Sequence, residues 1–340
     1  MRRRLPARRA FGFDLAAIAS GLAWAPLANA RQNDLTVAQV ANRLHAVPFL
    51  LARDRGWFRE MAGIDVRRFI GSSEGGATLR NALAAELPYG EVSLPAVIAA
   101  IGQGVELTIV HGGVQTLADQ VWVVRRGETG IASPRDLAGR KVGYTGPGTL
   151  SDMVSRAMID SLGLAAKVER KVVGPVREKL AALRDGSVDV VMVAEPRLSR
   201  ERDWLRPVWG ADQVLGPCAQ TVGVVRSDWL LRNGDRVRGI IAARRRAVAA
   251  IREEPAQAAL MITGHYGMDP ALALGVVERL LVGPGFWSDG SFAQSGMDAM
   301  HRGMQTIGAL PAVATADWRR ALRADYLSFE SAPSARFRFA

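Results

Sequence analysis

Gln120-Val-Trp-Val-Val-Arg125 opens a second run of alternating strands and helices, and its restart decides the fold. After it, Ser133-Pro134-Arg135-Asp136-Leu137 reads as a short helix, with serine as its cap and proline in its first turn. Lys141-Val-Gly-Tyr144 is a strand closed by Gly146-Pro147-Gly148, and Thr149 to Leu162 is a helix. A strand over 168–173, a helix over 175–183 and a strand over 188–193 follow, and the unit runs to about Val214. Working back toward the N-terminus, the same alternation is already present. Strands are predicted over 35–40, 64–70, 91–94 and 105–110. Helices are predicted from Pro48 to Met61, over 77–86 and from Pro95 to about Ile101. Working forward, an extended stretch over 215–225 carries Cys218. A helical tail follows, with helices over 236–251, 255–263, 270–281 and 292–307. Short buried strands alternating with helices make a parallel or mixed sheet with helices on both faces. Because the pattern restarts near residue 116, two lobes are expected rather than one large doubly wound domain.

The composition agrees with a globular α/β chain. Of 340 residues, 49% are hydrophobic and 23% charged, which excludes disordered and fibrous classes. One cysteine rules out an internal disulfide and a thiol-rich metal site. Residues 1–30 read as a secretory signal peptide. Arg2, Arg3, Arg4, Arg8 and Arg9 form a positive head, 11–27 is largely apolar, and Ala28-Asn29-Ala30 fits a cleavage site. Arg8-Arg9-Ala10-Phe11 also fits a twin-arginine signal, so the export route stays open between the two types. Five arginines and one aspartate go with the leader, which takes the formal charge from +11 to +7. The expected location is the periplasm. Acids and bases are interspersed, and no basic run alternates with aromatics, so nucleic acid is not an expected partner. Arg244-Arg245-Arg246 reads as a solvated helix face.

In an open α/β sheet, ligands lie beyond the carboxyl ends of the strands. Those segments here are small, hydroxylated and glycine-rich: 41–45, 71–76, 93–95, 111–113, 145–151 and 194–196. Several precede a helix, whose free N–H groups and positive end favour an anionic or strongly polar ligand. Gly146-Pro-Gly148 lacks dinucleotide spacing, and there is no phosphate-loop lysine, no His-Glu-x-x-His and no Gly-x-Ser-x-Gly. No His/Asp/Glu group has metal-ligand spacing, and neither a cofactor nor a catalytic role is expected. His45 and His111 lie at strand ends. Glu74, Glu91 and Glu195 are the carboxylates near them, suited to acid–base chemistry, to holding an ammonium group, or to helix capping. Glu195 before Pro196 is the leading ligand-facing carboxylate. Gly146-Pro-Gly148-Thr149-Leu-Ser151 is expected to form one wall of the cleft, with the Ser151 hydroxyl on the ligand rather than on the helix.

The order Pro48-Phe-Leu-Leu-Ala52, Gly56-Trp-Phe58, Gly63-Ile-Asp-Val66, Gly71-Ser-Ser, Pro134-Arg-Asp-Leu-Ala-Gly-Arg-Lys-Val-Gly143, Gly186-Ser-Val-Asp-Val190 and Glu195-Pro196, behind a secretory leader, resembles the periplasmic substrate-binding proteins of nitrate/sulfonate/taurine-type ABC importers. That family also includes binders of thiamine-pyrimidine precursors. The resemblance spans about residues 35 to 310. It implies an α/β, two-lobed periplasmic-binding-protein-like fold, with mixed sheets flanked by helices and crossing strands as the hinge. Lobe I would combine 31–115 with 226–340, and lobe II would be 116–225. Matching the family's ligand segments suggests Asn42, Ser72, Ser73, Ser93, Thr149, Ser151 and Glu195; the strand-end reading adds His45, Glu74 and His111. The implied function is capture of a small polar organic solute, a sulfonate or related organic anion. A monomer would deliver it to an ABC permease and ATPase complex at the inner membrane. A binder of an aromatic amine or pyrimidine, an enzyme of the same fold, and a ligand sensor are the alternatives. Two departures from the family touch the cleft. No aromatic stands near His45 where members often have one, and Leu87-Pro88-Tyr89-Gly90-Glu91 replaces a Gly-x-x-Asp turn.

Overall fold

Valine-rich segments bounded by glycine and proline form ten strands among the described residues, and they divide into two separate sheets. The structure is a computed structural model that describes residues 34–38, 43–72, 75–282, 285–311 and 317–328. The first sheet uses β1 (Asp34–Val37), β2 (Arg68–Ile70), β3 (Tyr89–Ser93), β4 (Leu107–Gly112) and β10 (Thr221–Arg226), in the order β2-β1-β3-β10-β4. β1 runs parallel to β2 and β3, with Leu35 opposite Phe69 and Thr36 opposite Gly90. β10 is antiparallel to both β3 and β4. The second sheet uses β5 (Gln120–Arg125), β6 (Lys141–Tyr144), β7 (Glu169–Val172), β8 (Val190–Ala194) and β9 (Leu205–Gly210), in the order β7-β6-β8-β5-β9. Here β6 is parallel to β7 and β8, and β5 is antiparallel to β8 and β9.

The chain therefore passes between the sheets twice, at 113–119 and again at 211–220. One boundary moves: 221–225, expected in the second lobe, pairs within the first sheet as most of β10. The valine alternation of this stretch marks a strand but cannot say which sheet receives it. The helix predicted over 48–61 is two helices, α1 (Val47–Asp54) and α2 (Trp57–Ala62), because Gly56 adopts a left-handed φ of 71° between them. Three short elements had no periodicity to betray them: β9, α7 (Arg197–Arg200) and α8 (Asp212–Leu215). The remaining helices stand close to their expected places, except that the helix expected from Arg236 begins at Ser227, with a non-helical Asn233 inside it. They are α3 (Gly75–Ala84), α4 (Leu94–Gly102), α5 (Leu150–Ser161) and α6 (Val176–Asp185), followed by α9 (Ser227–Glu253), α10 (Pro255–Tyr266), α11 (Pro270–Leu281) and α12 (Gln294–Thr306).

The helical tail has two roles. α9, α10 and α11 close over α1 and α2 in a core that joins Phe49 and Phe58 to Ile240, Val248, Ile262 and Leu280. α12 instead packs on both α4 and α5. Its Met297, Met300 and Met304 share a core with Val92 and Val97 of the first lobe and with Met153 and Val154 of the second. Each such buried side chain stabilises by roughly 1.5–3 kcal/mol, so α12 holds the two lobes together along one flank.

Arg244 is not on a solvated face. It is 0% exposed, and its Nε donates to Glu91 Oε2 at 2.8 Å within the first lobe. Glu91 Oε1 accepts from Thr221 Oγ1 at 2.8 Å, and Arg244 Nη1 donates to the Ser288 carbonyl at 2.6 Å. Paired burial of both charges explains why a helix periodicity that looked solvated carries an interior arginine.

Candidate functional site

Where the chain leaves the first sheet for the second, polar groups from both lobes converge on Asp119. Its side chain is fully buried, and Arg43 Nη1 lies 2.8 Å from Oδ2. Gln120 Nε2 donates to Oδ2 at 3.0 Å and Gln220 Nε2 to Oδ1 at 2.8 Å. Burial alone would push the carboxyl up, but His45, Arg43 and Gln220 together hold it below the usual carboxylate range. The Arg43 carbonyl accepts from the Tyr266 hydroxyl at 2.8 Å, which ties the loop after β1 to α10.

His45 occupies the same corner. Its Nε2 is 3.7 Å from Asp119 Oδ2, too far for a hydrogen bond, and its ring packs 5.7 Å from that of Phe286. The residue is 4% exposed, and neither ring nitrogen has a hydrogen-bond partner. A buried imidazole with both nitrogens unmatched costs free energy unless something else meets them.

Lys179, in the first turn of α6, supplies a buried ammonium from the second lobe. It is 6% exposed, and Nζ donates to the Met192 carbonyl at 3.1 Å. Burial pushes its pKa down to about 8, and the charge of Arg43 acts in the same direction. No carboxylate among the described residues pairs with it.

Glu195 follows β8 and is 2% exposed. Oε1 accepts from Arg279 Nη2 at 2.7 Å, and Oε2 accepts from the Ser199 backbone N–H and hydroxyl at 3.1 and 2.9 Å. Burial pushes this carboxyl up while Arg279 and Ser199 oppose the rise. The Glu195 N–H donates to the Asp119 carbonyl at 3.0 Å. Arg279, on α11 of the first lobe, also reaches the Ala118 carbonyl at 3.2 Å. A second bridge runs from the Arg200 guanidinium to the Tyr266 carbonyl. Glu195, Ser199 and Arg279 also line a cavity of about 610 Å³, together with Ala118, Trp209 and Leu272.

Of the residues expected from sequence, His45 and Glu195 stand at this junction. His111 does not. It is 0% exposed inside the first lobe, where Nε2 meets the Tyr89 hydroxyl at 2.6 Å and Nδ1 the Gly112 carbonyl at 2.8 Å. β10 passes so close to it that a Cβ at Gly223 would lie 1.9 Å from Nε2. Ser151 is 4% exposed, and its Oγ accepts from the Thr145 N–H at 2.9 Å and meets Thr149 Oγ1 at 3.1 Å. Thr149 caps α5 by accepting from the Asp152 N–H at 3.3 Å. Both hydroxyls are thus engaged in shaping the Gly146–Gly148 turn. The Ser72 carbonyl accepts from Thr78 Oγ1 at 3.3 Å, and Ser93 ends β3 against Gly75 at the start of α3. Asn42, Ser73, Glu74 and the leader 1–30 lie outside the described residues.

Arg43, Asp119, Lys179, Gln220 and Arg279 were not singled out from sequence. Lys179 carried a faint signal as one of four lysines in a chain with forty arginines. The others are ordinary polar residues until the fold joins them. No group of three or more metal-ligating side chains occurs among the described residues, and Cys218 is buried with its thiol pushed up to about 12.

The sequence profile of the family described as NMT1/THI5 like matches residues 44–258, more than half of the chain. No curated protein sequence matches it. Among solved structures, the chain is similar to the periplasmic aliphatic sulphonate binding protein SsuA from Escherichia coli, with a TM-score of 0.60 and 17% identity over 73% of this chain and 83% of that one. It is similar to the alkanesulfonate-binding protein SsuA from Xanthomonas axonopodis pv. citri bound to MOPS, with a TM-score of 0.63 and 16% identity over 86% and 98%. It is also similar to the periplasmic nitrate-binding protein NrtA from Synechocystis PCC 6803, with a TM-score of 0.62 and 14% identity over 86% of each chain. These likenesses establish the fold: two mixed sheets flanked by helices, as in periplasmic binding proteins.

Proposed function

We propose, for a chain that belongs to the NMT1/THI5-like family, that this protein binds a small organic anion between its lobes and hands it to an ABC-type importer. The observation that carries this reading is Lys179, a buried ammonium with one backbone carbonyl and, among the described residues, no carboxylate to meet it. Arg43 adds guanidinium donors from the other lobe, and the His45 imidazole, with no hydrogen-bond partner on either nitrogen, adds one N–H in its neutral form. An oxyanion at this junction would satisfy donors from both lobes at once and favour their closure. A sulfonate or related organic acid is the ligand class, in keeping with the sulphonate and nitrate named for the similar structures. The leader predicted over 1–30 supports a periplasmic site of action. Binding rather than catalysis fits the buried, high-pKa thiol of Cys218, which is a poor nucleophile.

The test is a thermal-shift screen of the mature protein against alkanesulfonates, inorganic nitrate and aminopyrimidines. A ligand of the folded form raises the apparent melting temperature. Sulfonates raising it while aminopyrimidines do not is the expected result. The reverse pattern, or turnover of any bound compound, contradicts this reading.

A further inference from the structure

The arginine run 244–246 splits between the interior and a cavity. While Arg244 turns inward to Glu91, Arg245, Arg246 and Arg252 line a cavity of about 680 Å³ on the flank of the first lobe. Its facing wall includes Gln115 of the first crossing segment, Ser288 and Asp289. Among the described residues lining the cavity, Asp289 is the one acid, against three guanidinium groups. Its Oδ1 already accepts from the Ser291 N–H at 3.0 Å and hydroxyl at 2.6 Å. Ser291 first, with Arg245 and Arg252 acting the same way, holds that carboxyl below its usual range. Arg246 is held by Glu60 at 2.9 Å, and Arg245 Nη1 donates to the Leu327 carbonyl at 2.5 Å. Arg252 is exposed and has no ion-pair or hydrogen-bond partner among the described residues. Behind the wall, Arg244 Nη2 is buried without a partner, although Nη1 of the same group donates to Ser288.

We propose that this cavity is a second anion site, apart from the junction between the lobes, and that it takes a phosphate-bearing group. Guanidinium forks match phosphate oxygens two at a time, and a concave wall of like charge concentrates the field on a multiply charged guest. The volume falls within the range of small-molecule pockets, about 300–1,000 Å³. Arg252 is the free fork; Arg245 and Arg246 supply charge while keeping their present partners. The guest is a free polyphosphate or phosphoester, or the head group of an anionic phospholipid.

The mature protein is titrated with inorganic pyrophosphate by calorimetry at low salt. In parallel it is floated with vesicles of phosphatidylcholine alone or mixed with phosphatidylglycerol. Pyrophosphate binding assigns the site to a soluble guest. Flotation with the mixed vesicles alone, without pyrophosphate binding, assigns it to a lipid. In either arm, Arg252→Gln is expected to weaken binding about tenfold. Asp289→Asn, which removes the opposing charge and keeps an acceptor for Ser291, is expected to strengthen it about threefold. Lys179→Met is expected to leave it unchanged. Arg252 is exposed, so an unaltered melting temperature of its variant separates loss of binding from loss of fold. The proposal is overturned if neither probe binds, if Arg252→Gln binds like the unmodified chain, or if Lys179→Met abolishes binding and so moves the anion to the interlobe junction.

Discussion

Glu195 and Arg279 meet at 2.7 Å across the two lobes, the carboxylate on the loop after β8 and the guanidinium on α11. The pair is asymmetric: the Glu195 side chain is 2% exposed and that of Arg279 is 42% exposed. Removing the arginine leaves a buried carboxylate with only Ser199 to meet it. Arg279→Ala is expected to lower unfolding stability by about 1–2 kcal/mol, less than for a fully buried pair because solvent already screens the guanidinium. Glu195→Gln should cost less, because the amide oxygen keeps an acceptor for Ser199. Urea unfolding of both single variants and the double variant measures the coupling. Strictly additive effects would show that the contact does not join the lobes.

Lys179 gives the site a pH signature. Its folded pKa of about 8 lies below the ordinary lysine value, so the charge that attracts an anion is present below about pH 8 and lost above it. Anion affinity should be flat from pH 6 to 7 and fall about tenfold by pH 9.5. A bound anion stabilises the ammonium, so binding near pH 8 should also take up protons. Calorimetry in buffers of different ionisation enthalpy reads that uptake directly. An affinity independent of pH over this range would remove Lys179 from the site.

Much of the architecture is readable from the chain, because short apolar runs between glycines and prolines impose a strand period that local chemistry alone sets. The strand over 120–125, the helix over 270–281 and the restart near residue 116 needed nothing more. The destination of β10 did not follow, because strand pairing depends on partners far away in sequence. The site was half legible. Glu195 directly follows β8 and His45 lies in a 3-10 turn on the segment after β1, where sheet topology directs attention. Asp119, Gln220 and Arg279 matter only through contacts spanning 101 and 84 residues, which no local pattern encodes. Ser151 had the right chemistry and the wrong direction, because a buried turn needed its hydroxyl first.

Ser151→Ala separates these two uses of one hydroxyl. Losing the acceptor for the Thr145 N–H should cost about 1 kcal/mol of stability, with ligand affinity unchanged. Paired unfolding and titration of the same variant provide the check. Weakened affinity with unchanged stability would put the hydroxyl back on the ligand.

His111 sets a limit on the acid side. Burial first, and then Arg244, push its pKa down to about 4, whereas an exposed histidine titrates near 6.5. The unfolded chain therefore takes up a proton that the folded chain refuses between these values. The contribution to stability is full above about pH 6.5 and is lost as pH falls through 4, a change of about 3 kcal/mol. His111→Asn should flatten the fall in stability between pH 6.5 and 4 relative to the unmodified chain. Parallel slopes for the two proteins would contradict the burial-driven shift.

Pairing of an organic oxyanion with Lys179 between the lobes is tested most directly by calorimetric titration of the mature protein. A short alkanesulfonate is compared with its neutral sulfone analogue, for the unmodified chain and for Lys179→Met. The sulfonate is expected to bind in the micromolar range or tighter. The sulfone should not bind, and the sulfonate affinity of the variant should fall by roughly ten- to a hundredfold, the loss of one charge-assisted contact. Equal binding of sulfonate and sulfone, or full sulfonate affinity in Lys179→Met, would contradict the account.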